Sequence, residues 1–123
     1  MKLADDNTKI SEIKRIIKDY CDKRDWDQFH SAKNLAIALS CEASEVLEPL
    51  RFKSDKEIEE MMNNKEFRIS ISEEMADVLY FLLRLSQRYN IDISNAFEEK
   101  MKKNELKYPV EKSKGSNKKY TEF

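Results

Sequence analysis

One glycine, Gly115, and two prolines, Pro49 and Pro109, leave this chain of 123 residues almost without the residues that tight turns require. Two-residue hairpins need positive φ, which glycine supplies best, so a strand-rich fold is excluded. A single histidine, His30, rules out a Glu-x-x-His di-iron pair on either side of a bundle, and no Cys–His or Ser–His–Asp set can be assembled around it. Phosphate-cradling glycine loops are missing for the same reason. The two cysteines, Cys21 and Cys41, have no metal-ligand spacing and read as free thiols in a reducing compartment. Lys and Arg number 23 against 24 Asp and Glu, a formal net charge of −1, which argues against a nucleic-acid polymer as partner. No apolar run reaches the ~20 residues of a membrane span and no leader pattern is visible, so a cytoplasmic protein with no membrane partner is expected.

What remains is helix. Leu, Ile, Met, Ala, Glu and Lys dominate, all good helix formers, and 123 residues make one domain. Ile10, Ile13, Ile16, Ile17 and Tyr20 give a first helix, about Thr8 to Arg24, one apolar face. Ser31 caps a second helix that reaches about Leu50 and is stopped at Pro49. A weaker charged piece spans 55–64. A third long helix is expected to start at Ser72, with Glu73 and Glu74 in its first turn, and to end near Asn90. The fourth starts at Asp92 or Ser94 and stops before Pro109. The pattern predicts an all-α, four-helix bundle-like domain over 1–109 with a flexible tail over 110–123. Met75, Val78, Leu79, Tyr80, Phe81, Leu82, Leu83 and Leu85 surround the third helix with apolar side chains. Such a helix is buried on every side, so a homodimer or dimer of dimers is expected.

Four acids stand out against that apolar background. Glu42 and Glu45 lie in NLAIALSCEASEVLEPL (34–50), and Glu74 and Asp77 in ISEEMADVLYFLLRL (71–85). Residues three apart share a helix face, so two packed helices would converge all four carboxylates. The spacing is common in a chain this acidic, but the other such pairs lie mostly in charged, solvated stretches; context singles these two out. Two carboxylates ~4 Å apart repel by roughly 4 kcal/mol at an effective dielectric near 20. A Mg²⁺ ion, which takes oxygen ligands at about 2.1 Å, reverses that sign, and Mn²⁺ is a possible substitute. Carboxylates holding Mg²⁺ suit a polyphosphate and a water made acidic by the metal, with one carboxylate free to act as general base.

Around them lie groups that could receive a nucleotide. Trp26, Phe29 and His30 sit between two helices, where aromatics stack either on a base or on each other as interhelical core. Lys100, Asn104, Lys107 and Tyr108 fall on one helix side, suited to phosphate or sugar or simply to solvent.

These blocks together resemble the MazG-like all-α nucleoside triphosphate pyrophosphohydrolases, most closely the dCTP pyrophosphatase branch. RDWDQFH (24–30), KNLAIALSCEASEVLE (33–48), EEMADVL (73–79), KMKKNELKYP (100–109) and KKYTEF (118–123) carry the resemblance in order. It implies hydrolysis between the α- and β-phosphates of dCTP or a modified dCTP, giving a monophosphate and pyrophosphate and clearing the nucleotide pool. Glu42, Glu45, Glu74 and Asp77 would hold Mg²⁺. Trp26, Phe29, His30, Lys33, Asn34, Phe52 and Phe81 would belong to the substrate pocket. Lys100, Asn104 and Tyr108 would reach the nucleotide across a subunit interface, and the tail would close over the phosphates. Three departures bear on base preference: Phe52 and Ile17 stand where similar dCTP-cleaving proteins carry Trp and some carry His, and the Tyr80-Phe81 order is shifted. A dUTP or broad noncanonical triphosphate substrate is the nearest alternative. A non-catalytic helical interaction module is the alternative of another class, disfavoured because an idle bundle gains nothing from four acids beside its core.

Overall fold

The computed structural model describes residues 2–123, and among these it contains six α-helices, two 3₁₀ turns and no strand. The all-α expectation holds, and the count rises from four helices to six. Two compact units divide the chain at Asn90–Ile91.

The first unit holds α1 (Ile10–Asp22), α2 (Ala32–Leu47), α3 (Asp55–Met61) and α4 (Lys65–Arg88). α2 and α1 both pack against α4, which is the spine of the unit. The start of α2 is set as expected, by the Ser31 hydroxyl accepting from the Asn34 amide at 3.1 Å. The start of α4 is not. It begins at Lys65 on an Asn64 cap, whose side-chain oxygen accepts from Phe67 N at 2.9 Å. Ser72, expected as the cap, is two turns inside the helix, its hydroxyl donating to the Arg68 carbonyl at 2.6 Å. Asn64 competes successfully because a charged first turn costs nothing in solvent and the helix gains two turns of hydrogen bonds.

Few side chains are fully enclosed. Ile17, Cys21, Leu35, Ile71 and Leu83 form the buried apolar core, joined by two buried polar residues, Arg84 and Ser86. The all-round apolar character of α4 is therefore only partly used within one chain. Met75, Leu79 and Leu82, at successive helical steps, are 59 %, 39 % and 36 % exposed.

The second unit holds α5 (Ile93–Lys107) and α6 (Val110–Ser113), with a 3₁₀ turn at Tyr120–Glu122. Asp92 caps α5 through the Asn95 amide at 3.0 Å. The segment read as a flexible tail has local order. The Tyr108 ring meets Tyr120 and Phe123 edge-on, each with centroids 5.8 Å apart, and the Ser113 hydroxyl donates to the Pro109 carbonyl at 2.8 Å. Among the described residues no helix is long and apolar enough to cross a membrane.

Candidate active site

The packing of α2 on α4 decides where the acids go. Each helix carries its pair on one face, and Glu42, Glu45 and Glu74 offer carboxylate oxygens that all lie within 4.8 Å of one another. Asp77, one helical step beyond Glu74, lines the adjoining cleft with Glu42, and its charge bears on both Glu42 and Glu74. The four acids expected to share a site are thus neighbours across the α2–α4 seam.

Their electrostatics are unfavourable as they stand. Burial first, then hydrogen bonding with Glu45 and the charges of Glu45 and Asp77, hold the Glu42 proton above the ordinary carboxylate range. For Glu74 the hydrogen bond with Glu45 leads, followed by burial and the charges of Glu45, Asp77 and Glu42, in the same direction. More telling, Glu42 and Glu74 each bury one carboxylate oxygen with no hydrogen-bond partner. An enclosed acceptor left unpaired is costly, more so when charged, so such atoms call for a ligand. Hard oxygen donors clustered this way fit a divalent cation of the Mg²⁺ or Mn²⁺ kind.

Beside the acids opens a cleft of about 440 Å³ lined by Ile16, Tyr20, Trp26, Glu42, Asp77, Tyr80 and Phe81. The volume falls in the range of small-molecule sites, and an aromatic wall next to a carboxylate cluster suits a ligand with a flat ring and a polyanionic end. The rings interlock: Tyr20 meets Trp26 at 5.5 Å and Tyr80 at 6.0 Å, and Tyr80 meets Phe81 at 4.8 Å, all edge-to-face. The Tyr80 hydroxyl lies 3.2 Å from Sγ of the fully buried Cys21, which fixes the ring. Burial, then that contact, drives the Tyr80 pKa upward, so the phenol stays neutral. A larger cleft of about 570 Å³ follows the first half of α4 from Asn63 to Ala76, but Glu73 is its only carboxylate and it has no aromatic ring.

The residues expected from sequence to contact substrate divide into groups. Trp26 and Phe81 line the cleft. His30 stands behind Trp26, ring centroids 6.3 Å apart, and accepts at Nδ1 from Arg84 Nε at 2.9 Å. Asn34 ties the turn before α2 by donating its side-chain N–H to the Phe29 carbonyl at 3.0 Å. The Phe29 and Lys33 side chains are exposed. Phe52 is 92 % exposed, in a left-handed conformation (φ 66°), with the Arg51 guanidinium 4.5 Å over its ring. Lys100, Asn104 and Tyr108 lie on or just after α5 in the second unit, Asn104 half-buried. Sequence reasoning passed over Tyr20, Tyr80 and Arg84. A signal for Arg84 was present, since a guanidinium inside the apolar run FLLRL must find a buried partner or leave the core.

Known proteins with similar sequences point the same way. A family model described as MazG-like matches residues 37–123, a span that includes all four acids. The dCTP pyrophosphatase 1 of Rattus norvegicus is 37 % identical over 114 residues, 93 % of this chain and 67 % of the rat protein. The dCTP pyrophosphatase 1 of Homo sapiens is 34 % identical over 114 residues, with the same coverage of 93 % and 67 %. Among solved structures, a pyrophosphatase from Archaeoglobus fulgidus matches with a TM-score of 0.77 at 35 % identity, over 88 % of this chain and 99 % of that one.

Proposed function

The chain belongs to the MazG-like family, and from that premise we propose that it is a divalent-cation-dependent nucleoside triphosphate pyrophosphatase that cleaves dCTP or a modified dCTP to a monophosphate and pyrophosphate. The observation that carries the reading is the pair of buried, unpartnered oxygens on Glu42 and Glu74 beside an aromatic cleft. Glu42, Glu45, Glu74 and Asp77 would hold Mg²⁺. When bound, that ion neutralises triphosphate oxygens and makes a water more acidic. Trp26, Tyr20 and Phe81 line the cleft; on this proposal the base would lie on that aromatic side and the phosphates toward the acids. A carboxylate of this set with one oxygen to spare, best supplied by the exposed Glu45, would take the water's proton as the water oxygen bonds to the α-phosphorus and the α–β anhydride bond breaks. Pyrophosphate leaves with the bridging oxygen. Lys100, Asn104 and Tyr108 of a second copy are proposed as further nucleotide contacts across a subunit interface.

A second copy of the chain is proposed to cover the Met75–Leu79–Leu82 stripe, since three adjacent apolar residues left in water forfeit the burial that their helix is built for. Light scattering at micromolar concentration should then give a dimer or tetramer; a clean monomer of the 14.6 kDa chain rejects this. The activity is tested by incubating the protein with Mg²⁺ and each common, methylated and deaminated nucleoside triphosphate, resolving products by ion exchange. Monophosphate and pyrophosphate from a cytidine substrate support the full proposal. The same products from dUTP alone keep the reaction and move the base assignment. No turnover by folded protein rejects an enzyme.

A further inference from the structure

The cleft wall is held from behind by a polar network that no step of the proposed hydrolysis uses. Arg84, on α4, is only 2 % exposed, and each of its three guanidinium nitrogens donates a hydrogen bond. Nε donates to His30 Nδ1 at 2.9 Å, Nη1 to Gln87 Oε1 at 2.8 Å, and Nη2 to the Asp27 carboxylate. Gln87 in turn donates to the Lys14 carbonyl of α1 at 2.6 Å. One turn further along α4, Arg88 reaches the same Asp27 at 3.6 Å and donates to the His30 carbonyl at 3.3 Å. The turn so gripped begins at Asp25, a non-glycine residue with φ 54°, a conformation that persists only where its surroundings enforce it.

Trp26 lies between Asp25 and Asp27, and its ring meets Tyr20 at 5.5 Å and His30 at 6.3 Å, both edge-on. A buried ion pair is weak evidence for stability, because a well-packed apolar residue would serve a helix core as well. What an arginine adds is direction: a planar fork that sets two partners at once. Its donation to Nδ1 also requires neutral His30 with its proton on Nε2.

We infer that Arg84 is a positioning residue for nucleotide binding: by clamping Asp27 and His30 it holds Trp26 in the orientation that lines the cleft. This rests on the proposed nucleotide site, and its test has one arm that does not. Trp26 is the only tryptophan, so its fluorescence reports that wall alone. Arg84→Lys, which keeps the charge and loses the fork, and Asp27→Asn, whose side chain is partly exposed and leaves no cavity, are compared with the wild-type chain after circular dichroism confirms that each is folded. In Mg²⁺ with the triphosphate that the wild type hydrolyses best, Arg84→Lys should raise KM by about tenfold or more while kcat changes by less than about threefold, the pattern of lost binding. Without nucleotide, acrylamide should quench Trp26 more strongly in both variants, less so in Asp27→Asn. Unchanged KM and unchanged quenching in folded Arg84→Lys overturn the inference, as does a loss confined to kcat or to melting temperature. Should the lysine variant not fold, Asp27→Asn decides by the same two readouts. If the wild type hydrolyses no triphosphate, the proposed function fails on its own and the quenching arm still decides whether Arg84 holds Trp26.

Discussion

Two charged clusters share α4, one at its middle and one in its C-terminal turns, and they are built on opposite principles. Around Arg84 each guanidinium nitrogen has an acceptor, and the buried charge has its counter-ion in Asp27. Around Glu42 and Glu74 like charges are pressed together and two buried oxygens have no partner. The second arrangement costs the fold stability until a cation, or protons taken up at the raised pKa values, offsets the repulsion. A finished network holds geometry; an unfinished one awaits a ligand. The C-terminal turns of α4 carry the paired network, and its middle carries the proposed seat of chemistry.

The sharpest way to break the contrast is to withhold the cation. Chelation should abolish triphosphate hydrolysis, a loss of at least about a thousandfold if the ion supplies several kcal/mol. Adding Mg²⁺ back should restore turnover and raise the melting temperature, by roughly 2.7 kcal/mol of stability at a hundred times Kd. The Arg84 network should be indifferent to chelator. Its own break is Arg84→Ala, which empties a buried site and removes the counter-ion of Asp27; a denaturant titration should show a loss of about 2 kcal/mol or more, equal with and without Mg²⁺. Equality with metal is the informative part, since a loss seen only in Mg²⁺ would make the two clusters one site.

The smallest effect is a matter of pH, and its sign differs between the clusters. Glu42 and Glu74 titrate above their unfolded values, so in chelator their contribution to stability grows as pH falls from neutral through the raised pKa values and is complete below about 4.3. His30 titrates below its unfolded value, chiefly because it is buried and then because Arg84 is close. Its contribution is full above about 6.5 and is lost as pH falls through that value toward the folded pKa. Melts in chelator between about pH 7.5 and about 4 should therefore separate the clusters: Glu42→Gln removes part of the acid-side gain, and His30→Gln removes part of the acid-side loss. Identical slopes in both variants would mean that the clusters are not electrostatically distinct.

Much of this was legible from residues alone, and the failures have physical reasons. Scarce glycine and proline dictated helices, and Ser31 and Asp92 announced two of their starts. Asn64 was passed over because a charged turn, Lys65 to Arg68, hides helical periodicity, while Ser72 followed by Glu73 and Glu74 imitates a helix start. The acidic pairs were readable because carboxylates in an apolar run are costly. Arg84 sits in the same kind of run and carried the same signal, but its partners Asp27 and His30 lie more than fifty residues away, a distance that only the packing of the Trp26 turn on α4 closes. Tyr20 and Tyr80 looked like core because their helical spacing is that of core; the structure puts their rings on a cleft instead.

On the proposed function, the glutamates of the α2–α4 seam serve a bound cation and not the fold. Glu45→Gln tests it most directly, since it keeps the side chain's shape and removes one charge from the cluster. Hydrolysis in Mg²⁺ should fall by orders of magnitude while the melting temperature in chelator holds or rises. Collapse of stability in chelator, or full activity in the variant, would contradict the account.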